Sequence, residues 1–380
     1  MSNTLTAIAP TLYSAAKIVA AEPTGVVTAI NMNFDDKGVA KGDTVDVPIA
    51  PTRAEEDFTP AAATTTGADA TASKIQVAIT HSKKVSWNLS GEQLRSLENG
   101  STDQDWVAQM VQQGMRTLRN GAEAVAYDAL RVGASRAYGT AGTTPFASTL
   151  ADLTNSRKIL KDNGAPLADL QYVGDTNAEL NLTNLGIIQQ ANQAGSDAER
   201  RSGNVGRQFG FQISSSAAID AVTKGTAASA TTDNAGYAVG DTVITLAAVG
   251  TGTILAGDML TFAGDTNIYV IASGTGAVSG GQITLAAPGL RIAMSAATKA
   301  ITMIATSTRN LAFERSAFVG VMRPPLIPAN PTIRQMPVSD QFGMTYLMLE
   351  IDQYGQRSWE LHLAYGFKTV NAEFAAISLG

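Results

Sequence analysis

Polar and apolar residues alternate over two stretches near the start of the chain. Val45, Val47 and Ile49 alternate with polar positions. Further on, Ile75, Val77, Ile79, Val85 and Trp87 share one parity, and Gln76, Thr80, Ser82, Lys84 and Ser86 hold the other. A period of two marks half-buried strands, so residues 43–89 read as a long extended β-hairpin. Its tip, Thr59 to Ser73, is Pro, Ala, Thr and Gly with almost no large side chain. A lone pair of strands is only marginally stable in water. The pattern therefore favours a hairpin that packs on another subunit over a free surface hairpin. Phe58, Ile75, Val77 and Ile79 are its candidate inter-subunit contacts. Before it, Leu5, Ile8, Leu12 and Ala16 lie at helical spacing, and Pro23-Thr24-Gly25 closes that helix. Residues 1–42 read as an N-terminal arm whose apolar face (Leu5, Ile8, Leu12) needs a neighbour.

The period then changes. Over 102–132, Val107, Val111, Leu118, Val125 and Ala129 follow one helical face, with Trp106, Met110 and Met115 beside it. Thr102 suits the N-cap and Gly133 the stop. About 30 residues at 1.5 Å each give roughly 45 Å, enough for the spine of a domain spanning 90–164. Arg116, Arg119 and Arg131 on this helix, with Glu123 and Asp128, read chiefly as a solvated, salt-bridged face; Arg116 and Arg119 are the candidate DNA-facing residues. A second helix is expected over 148–163, capped by Ser148 and stopped by Gly164. A strand is expected at Leu170–Val173, a helical stretch at Asn177–Gln193 and a strand at Phe209–Ser214.

From Tyr237 to Ile304 the chain is rich in glycine and threonine and reads as short strands between turns: Val243–Leu246, Met259–Phe262, Asn267–Ile271 and Gln282–Leu285. A small β domain inserted over 223–304 into an α+β body is expected. Gly-Asp precedes a strand three times, at Asp43, Asp241 and Asp258. Aspartate before β-formers is turn chemistry, preferred here to a metal site. After the insert strands return. Met344 to Ile351 is apolar on both faces, and Trp359, Leu361 and Leu363 alternate after a turn at Gln353–Gln356.

Of the 380 residues 44% are hydrophobic and only 16% charged, against about a quarter charged in ordinary soluble domains. A chain of this size with so few charges points to large protein–protein interfaces. The net charge of −6 gives no global basic field for nucleic acid. Cysteine is absent, which excludes disulfides and thiolate metal sites. The N-terminus lacks a basic start followed by a long apolar run, and no segment approaches about 18 consecutive apolar residues. The expectation is a soluble, cytoplasmic product without a membrane partner.

Catalytic patterns are lacking. Gly133-Ala134-Ser135-Arg136-Ala137 misses the last glycine of a nucleophile elbow. No His-Glu-x-x-His occurs, and Gly274-Thr275-Gly276 is not followed by Gly-Lys-Ser/Thr. His81 and His362, the two histidines, sit in strands. A hydrolase would need carboxylates paired by folding. No enzyme, cofactor or metal is expected.

An arm, a long hairpin, a spine helix, a mixed region and a return to strands, in that order, resembles the tailed-phage major capsid proteins of the HK97 fold. The stretch Arg201 to Ser214 is similar to that family's glycine-spaced turn leading into a strand. Asn310-Leu311-Ala312-Phe313-Glu314-Arg315-Ser316-Ala317-Phe318, followed by Arg323-Pro324-Pro325, is similar to its "apolar–x–Arg–x–Ala" stretch. The insert looks like the insertion domain of short-tailed-phage coat proteins.

The resemblance implies a shell subunit: residues 43–89 as the E-loop, 90–164 as the peripheral domain, 165–222 with part of 305–335 as the axial domain, and 305–380 as the return through both. It implies hexamers and pentamers of this chain, a portal protein, a possible decoration protein on the insert and encapsidated double-stranded DNA held without sequence specificity. The hairpin begins near residue 43, leaving no room for a built-in scaffold, so a separate scaffolding protein is implied. No Lys–Asn crosslink carries over. The location implied is the virion capsid, after synthesis in the host bacterial cytoplasm. A tail or surface structural protein, with the β module as its binding domain, is the alternative.

Overall fold

The computed structural model describes residues 22–34, 40–49, 55, 73–100, 103–189, 206–328, 330, 332–340 and 344–380. The expected arm helix, Phe58, nearly all of the hairpin tip, the Thr102 cap and residues 201–205 of the Arg201–Ser214 stretch lie outside them. Along the chain run α1 (Gly25–Ala29), β1 (Asn31–Phe34), β2 (Thr44–Ile49), β3 (Ser73–Ala78), β4 (His81–Ser90), α2 (Gly91–Gly100), α3 (Asp103–Arg131) and β5 (Arg136–Tyr138). Next come α4 (Ala151–Asp162), β6 (Leu170–Gly174), α5 (Thr176–Asn184), α6 (Gly186–Gln189), β7 (Arg207–Gln208) and β8 (Phe211–Ser215). Residues 223–304, the expected insert, hold β9 (Val243–Thr245), β10 (Met259–Phe262), β11 (Ile268–Ser273), β12 (Gln282–Leu285) and β13 (Ile301–Met303). The chain closes with β14 (Arg309–Glu314), β15 (Phe318–Arg323), β16 (Ile333–Ser339), β17 (Thr345–Gln353), β18 (Gln356–Thr369) and β19 (Ala375–Leu379).

The long helix α3 packs on a six-stranded sheet built around β18. Strand β4 runs antiparallel along one edge of β18, from Gln356↔Ser90 to Tyr365↔His81. Its other edge is shared in succession by β17, over residues 356–362, and β15, over 364–369. The alternation in β18 turns Trp359, Leu361, Leu363 and Tyr365 into one core with Val107, Val111, Met115 and Leu118 of α3. At Gly114 the helix lies against the sheet, where an added Cβ would be in ordinary contact with Leu361 at 3.5 Å and Trp87 at 3.6 Å. Beyond Leu118 the buried stripe runs through Ala122, Ala126 and Leu130. The expected Val125 and Ala129 lie only half-buried beside it.

A second sheet of eleven strands passes through β13-β10-β11-β5-β19-β14-β6-β8-β7. Here β14, the Asn310–Glu314 stretch, is fully buried between β19 and β6. The insert has its own apolar cluster, including Ile244, Leu260, Phe262, Tyr269 and Ile283. It is nevertheless not a separate sheet. Strand β11 pairs with β5 at Ile268↔Ala137 and Tyr269↔Arg136, which continues the central sheet into the insert. Sequence reading missed β5, three residues too short to show a period.

Two boundaries move. Gly25, expected to close a helix, begins α1, and β1 pairs in parallel with β15. Residues 22–34 are therefore built into the body. Helix α4 starts at Ala151, and the residue before it, Leu150, makes no side-chain cap. The three Gly-Asp sites share one geometry. Asp43, Asp241 and Asp258 accept, through their carboxylates, the N–H of Ala40 (2.8 Å), Ala238 (2.7 Å) and Leu255 (2.7 Å), each three residues back. The preceding glycines have φ of 101°, 93° and 82°, a region that favours glycine. The turn reading of these aspartates fits.

Candidate assembly surfaces

The hairpin divides at Ile79-Thr80. Strands β2 and β3 pair from Thr44↔Ala78 to Ile49↔Ser73 and form a sheet of their own. Strand β4 leaves them and joins β18. One face of the ribbon is polar and exposed: Asp46 accepts from Lys74 Nζ at 2.6 Å and Gln76 Nε2 at 3.1 Å. Those two bonds, Lys74 first, hold the Asp46 carboxyl below its usual range. The other face rests its root on the body. Val77 and Ile79 are wholly buried with Val319, Val321 and Ala364, and Val45 and Val47 pack beside them. The expectation that Val77 and Ile79 meet a neighbouring subunit is corrected, because their own chain already covers them. Ile75 stays half-buried opposite Val47. Gly366 makes the seating possible, since a Cβ there would lie 2.0 Å from Ala78 O. A cleft of about 630 Å³ opens at the root, lined by Val47, Pro48, Val319, Val370, Glu373 and Phe374 among others.

Residues 22–34 cross α3 as a strap. Glu123, on the buried face of α3, accepts Val26 N at 2.7 Å, Val27 N at 2.9 Å and Ser216 Oγ at 2.7 Å. Burial pushes its carboxyl up, against the pull of those three bonds and of Arg119. Arg119 donates to Thr24 Oγ1 and is 2% exposed. Burial pulls its guanidinium down, opposed by Asp340, Tyr346 and Glu123. A buried Arg119 cannot face DNA, so that expectation is corrected. Arg116 is partly exposed but carries a bidentate pair with Glu22, which also accepts from Asn120. Donation from Arg116 and then Asn120 holds Glu22 at about 2. The arginine face of α3 is thus the clamp of the strap. The signal available was Glu123 and Arg119 standing four apart beside the apolar stripe, where an exposed face was assumed.

No family model and no curated protein matches the chain. Among solved structures, one titled for Mycobacterium phage Che8 matches at 12% identity over 89% of this chain and 85% of that one, with a TM-score of 0.47. The capsid structure of the cyanophage P-SCSP1u matches at 11% over 94% and 88%, with a TM-score of 0.48. The mature capsid of bacteriophage PhiM1 matches at 10% over 93% and 86%, with a TM-score of 0.46. All three are likenesses at low identity and below a TM-score of 0.5.

The histidines take part in packing and pairing. His81 stacks on Tyr365 with centroids 5.4 Å apart and 9° between planes. Burial first, then Lys83 and Lys41, lower its pKa. His362 Nε2 lies 2.8 Å from Glu360 Oε2, and Lys84 Nζ reaches the other oxygen at 2.7 Å. Ser135, from the near-elbow sequence, is buried and donates to Ala375 O at 2.7 Å. No described helix is long and apolar enough to cross a membrane.

Proposed function

We propose that this chain is a major capsid protein, a non-enzymatic subunit that self-assembles into an icosahedral shell around phage double-stranded DNA. The observation that carries the reading is the β2–β3 ribbon. Among the described residues it joins neither sheet and is seated at its root, and 23 residues connect its ends beyond Ile49 and Ser73. An isolated two-stranded ribbon needs further packing to be stable, and a second subunit supplies it. In this reading the ribbon is the E-loop of an HK97-type subunit. The α3 layer with the β18 sheet forms the peripheral domain. The sheet around β14 forms the axial domain. Ile75, Phe58 and the arm residues Leu5, Ile8 and Leu12 are the inter-subunit contacts. Hexamers and pentamers of the chain assemble with a separate scaffolding protein and a portal protein, and the insert offers a place for a decoration protein. The product is a virion capsid made in the host bacterial cytoplasm.

Negative-stain electron microscopy of the purified protein, alone and co-expressed with a candidate scaffolding protein, tests this. Closed uniform shells are expected. Trimers or open tubes would favour the tail or surface protein, and monodisperse small oligomers under both conditions would overturn the shell.

A further inference from the structure

The turn between β7 and β8 carries an aromatic in an unusual setting. Gln208 pairs with Phe211, so Phe209-Gly210 is a two-residue loop, and both residues have positive φ, 48° and 88°. Such turns favour Asn-Gly. A phenylalanine here is strained, and the residue is 45% exposed. Three arginine bonds brace the turn. Arg157 Nη1 donates to Phe209 O at 2.6 Å, Arg207 Nε to Gly210 O at 3.1 Å and Arg207 Nη2 to Ala168 O at 2.6 Å. Neither arginine has a carboxylate partner among the described residues. A rigid exposed aromatic rimmed by arginines has the composition of an interface anchor.

At the other end of β8 lies its complement. A groove of about 330 Å³ is lined by Glu22, Pro23, Ala124, Ala217, Ala218 and Asp220, among others. Pro23, Ala124, Ala217 and Ala218 give it a small apolar wall, opposite a polar side of Thr24, Asn120 and the carboxylates of Glu22 and Glu123, and the exposed Asp220 at its rim has no cationic partner among the described residues. A cavity of about 150 Å³ already admits benzene. The five residues of β8 hold the turn and the groove roughly 16 Å apart, so one chain cannot close the contact on itself. We infer that Phe209 of one copy inserts into the groove between the strap and residues 217–220 of a second copy, with Arg157 and Arg207 facing Asp220. Knob and groove are different patches, so the contact is head-to-tail, and it closes into a ring when the rotation between copies divides a full turn. The inference rests on the shell reading and specifies which surfaces meet within a capsomer.

The chain has no cysteine, which makes a crosslink unambiguous. The full-length Phe209→Cys/Ala218→Cys variant, assembled and then oxidised with diamide, is expected to give a ladder of dimers, trimers and larger species on a non-reducing gel. The two single variants should stay monomeric. A ladder absent from assembled shells would overturn the contact and leave the shell reading standing. A dimer from Phe209→Cys alone would overturn it in favour of knob-to-knob packing. Small oligomers of the unmodified chain would overturn the shell reading, whatever the ladder. Phe209→Asn gives a second readout. Asparagine suits the turn, so the dissociated subunit should melt no lower than the parent, while the concentration for half-assembly rises at least about tenfold. A lower subunit melting point with unchanged assembly would mean that Phe209 serves only its own fold.

Discussion

Two antiparallel strand pairs in this molecule share a local pattern and differ in what surrounds them. In β17–β18, Gln353 and Gln356 flank a two-residue turn, Tyr354-Gly355, and the pair extends to Leu347↔His362. Its edges are taken by β4, β15 and β16, and its apolar face is covered by α3. In β2–β3 the alternation is equally clear, yet among the described residues neither strand has a third partner and the covered part is the root. Alternation tells that a strand has two unlike faces; it does not tell which chain covers the apolar one. The first pair is a core element of the chain; in the proposed shell reading, the second is completed by a neighbouring subunit.

The largest test of the contrast is Trp359→Ala. This ring is 2% exposed, directly opposite Trp87, and packs in the cluster shared with α3. Truncating a large buried aromatic costs about 3–5 kcal/mol. The subunit should lose that much in denaturant unfolding before any assembly. A loss under 1 kcal/mol would mean that α3 and the sheet are not one core.

Gly366→Ala comes next and acts at the seam between the two pairs. The new Cβ would meet Ala78 O at 2.0 Å and Ala78 C at 2.9 Å, both backbone. Either β18 or the ribbon root must move, at about 1–3 kcal/mol, as for other overpacked sites. Hydrogen exchange should quicken at Val77 and Ile79 more than at Leu361. Equal protection at both would show that the ribbon is not seated there.

Much of the first pair was legible because its period is long and its apolar residues are large. Trp359, Leu361 and Leu363 announce a face, and α3 runs within a residue of the expected bounds. The root of the ribbon was half legible. Val77 and Ile79 lie on the apolar parity as read, but they are covered by Val319 and Val321, some 240 residues away in sequence, and no local pattern reports such a partner. The strap clamp was hidden for a different reason. Arg119 and Glu123 look like surface charges, and their burial is offset by groups that distant segments supply: Val26 N, Val27 N and Ser216 Oγ for Glu123, and Thr24 Oγ1 for Arg119. Strand β5 is three residues long and pairs with two remote strands, β19 and β11, so its place is fixed by topology alone.

Deleting residues 59–72 isolates the second pair. Shortening the connection from 23 to 9 residues lowers loop-closure entropy by about 0.8 kcal/mol, so the dissociated subunit should unfold no more easily than the parent. Assembled shells should melt at a lower temperature, because the ribbon's partner surface is lost. An unchanged shell melting point would remove the ribbon from the assembly and leave it a surface hairpin.

The smallest effect concerns acid. Glu22 is held at about 2 against an ordinary 4.5, by Arg116 and then Asn120. A carboxyl depressed in the folded state contributes stability that is fully present above its unfolded value and lost as pH falls through the folded one. The strap should therefore loosen between about pH 4.5 and 2. Glu123 works in the opposite sense: burial raises it, so acid relieves the cost of keeping it charged and offsets part of that loss. Glu22→Gln removes the first effect and keeps the second. In acid titration of the dissociated subunit, the variant should start slightly less stable than the parent at neutral pH, where an exposed pair of this kind is weak, fall more shallowly below pH 4.5, and converge with the parent towards pH 2. Added salt should narrow the gap, since Arg116 and Glu22 are partly exposed and screened, whereas the buried bonds to Glu123 should not respond. Parent and variant falling in parallel would place the acid sensitivity away from the strap, in carboxylates that the β18 core holds.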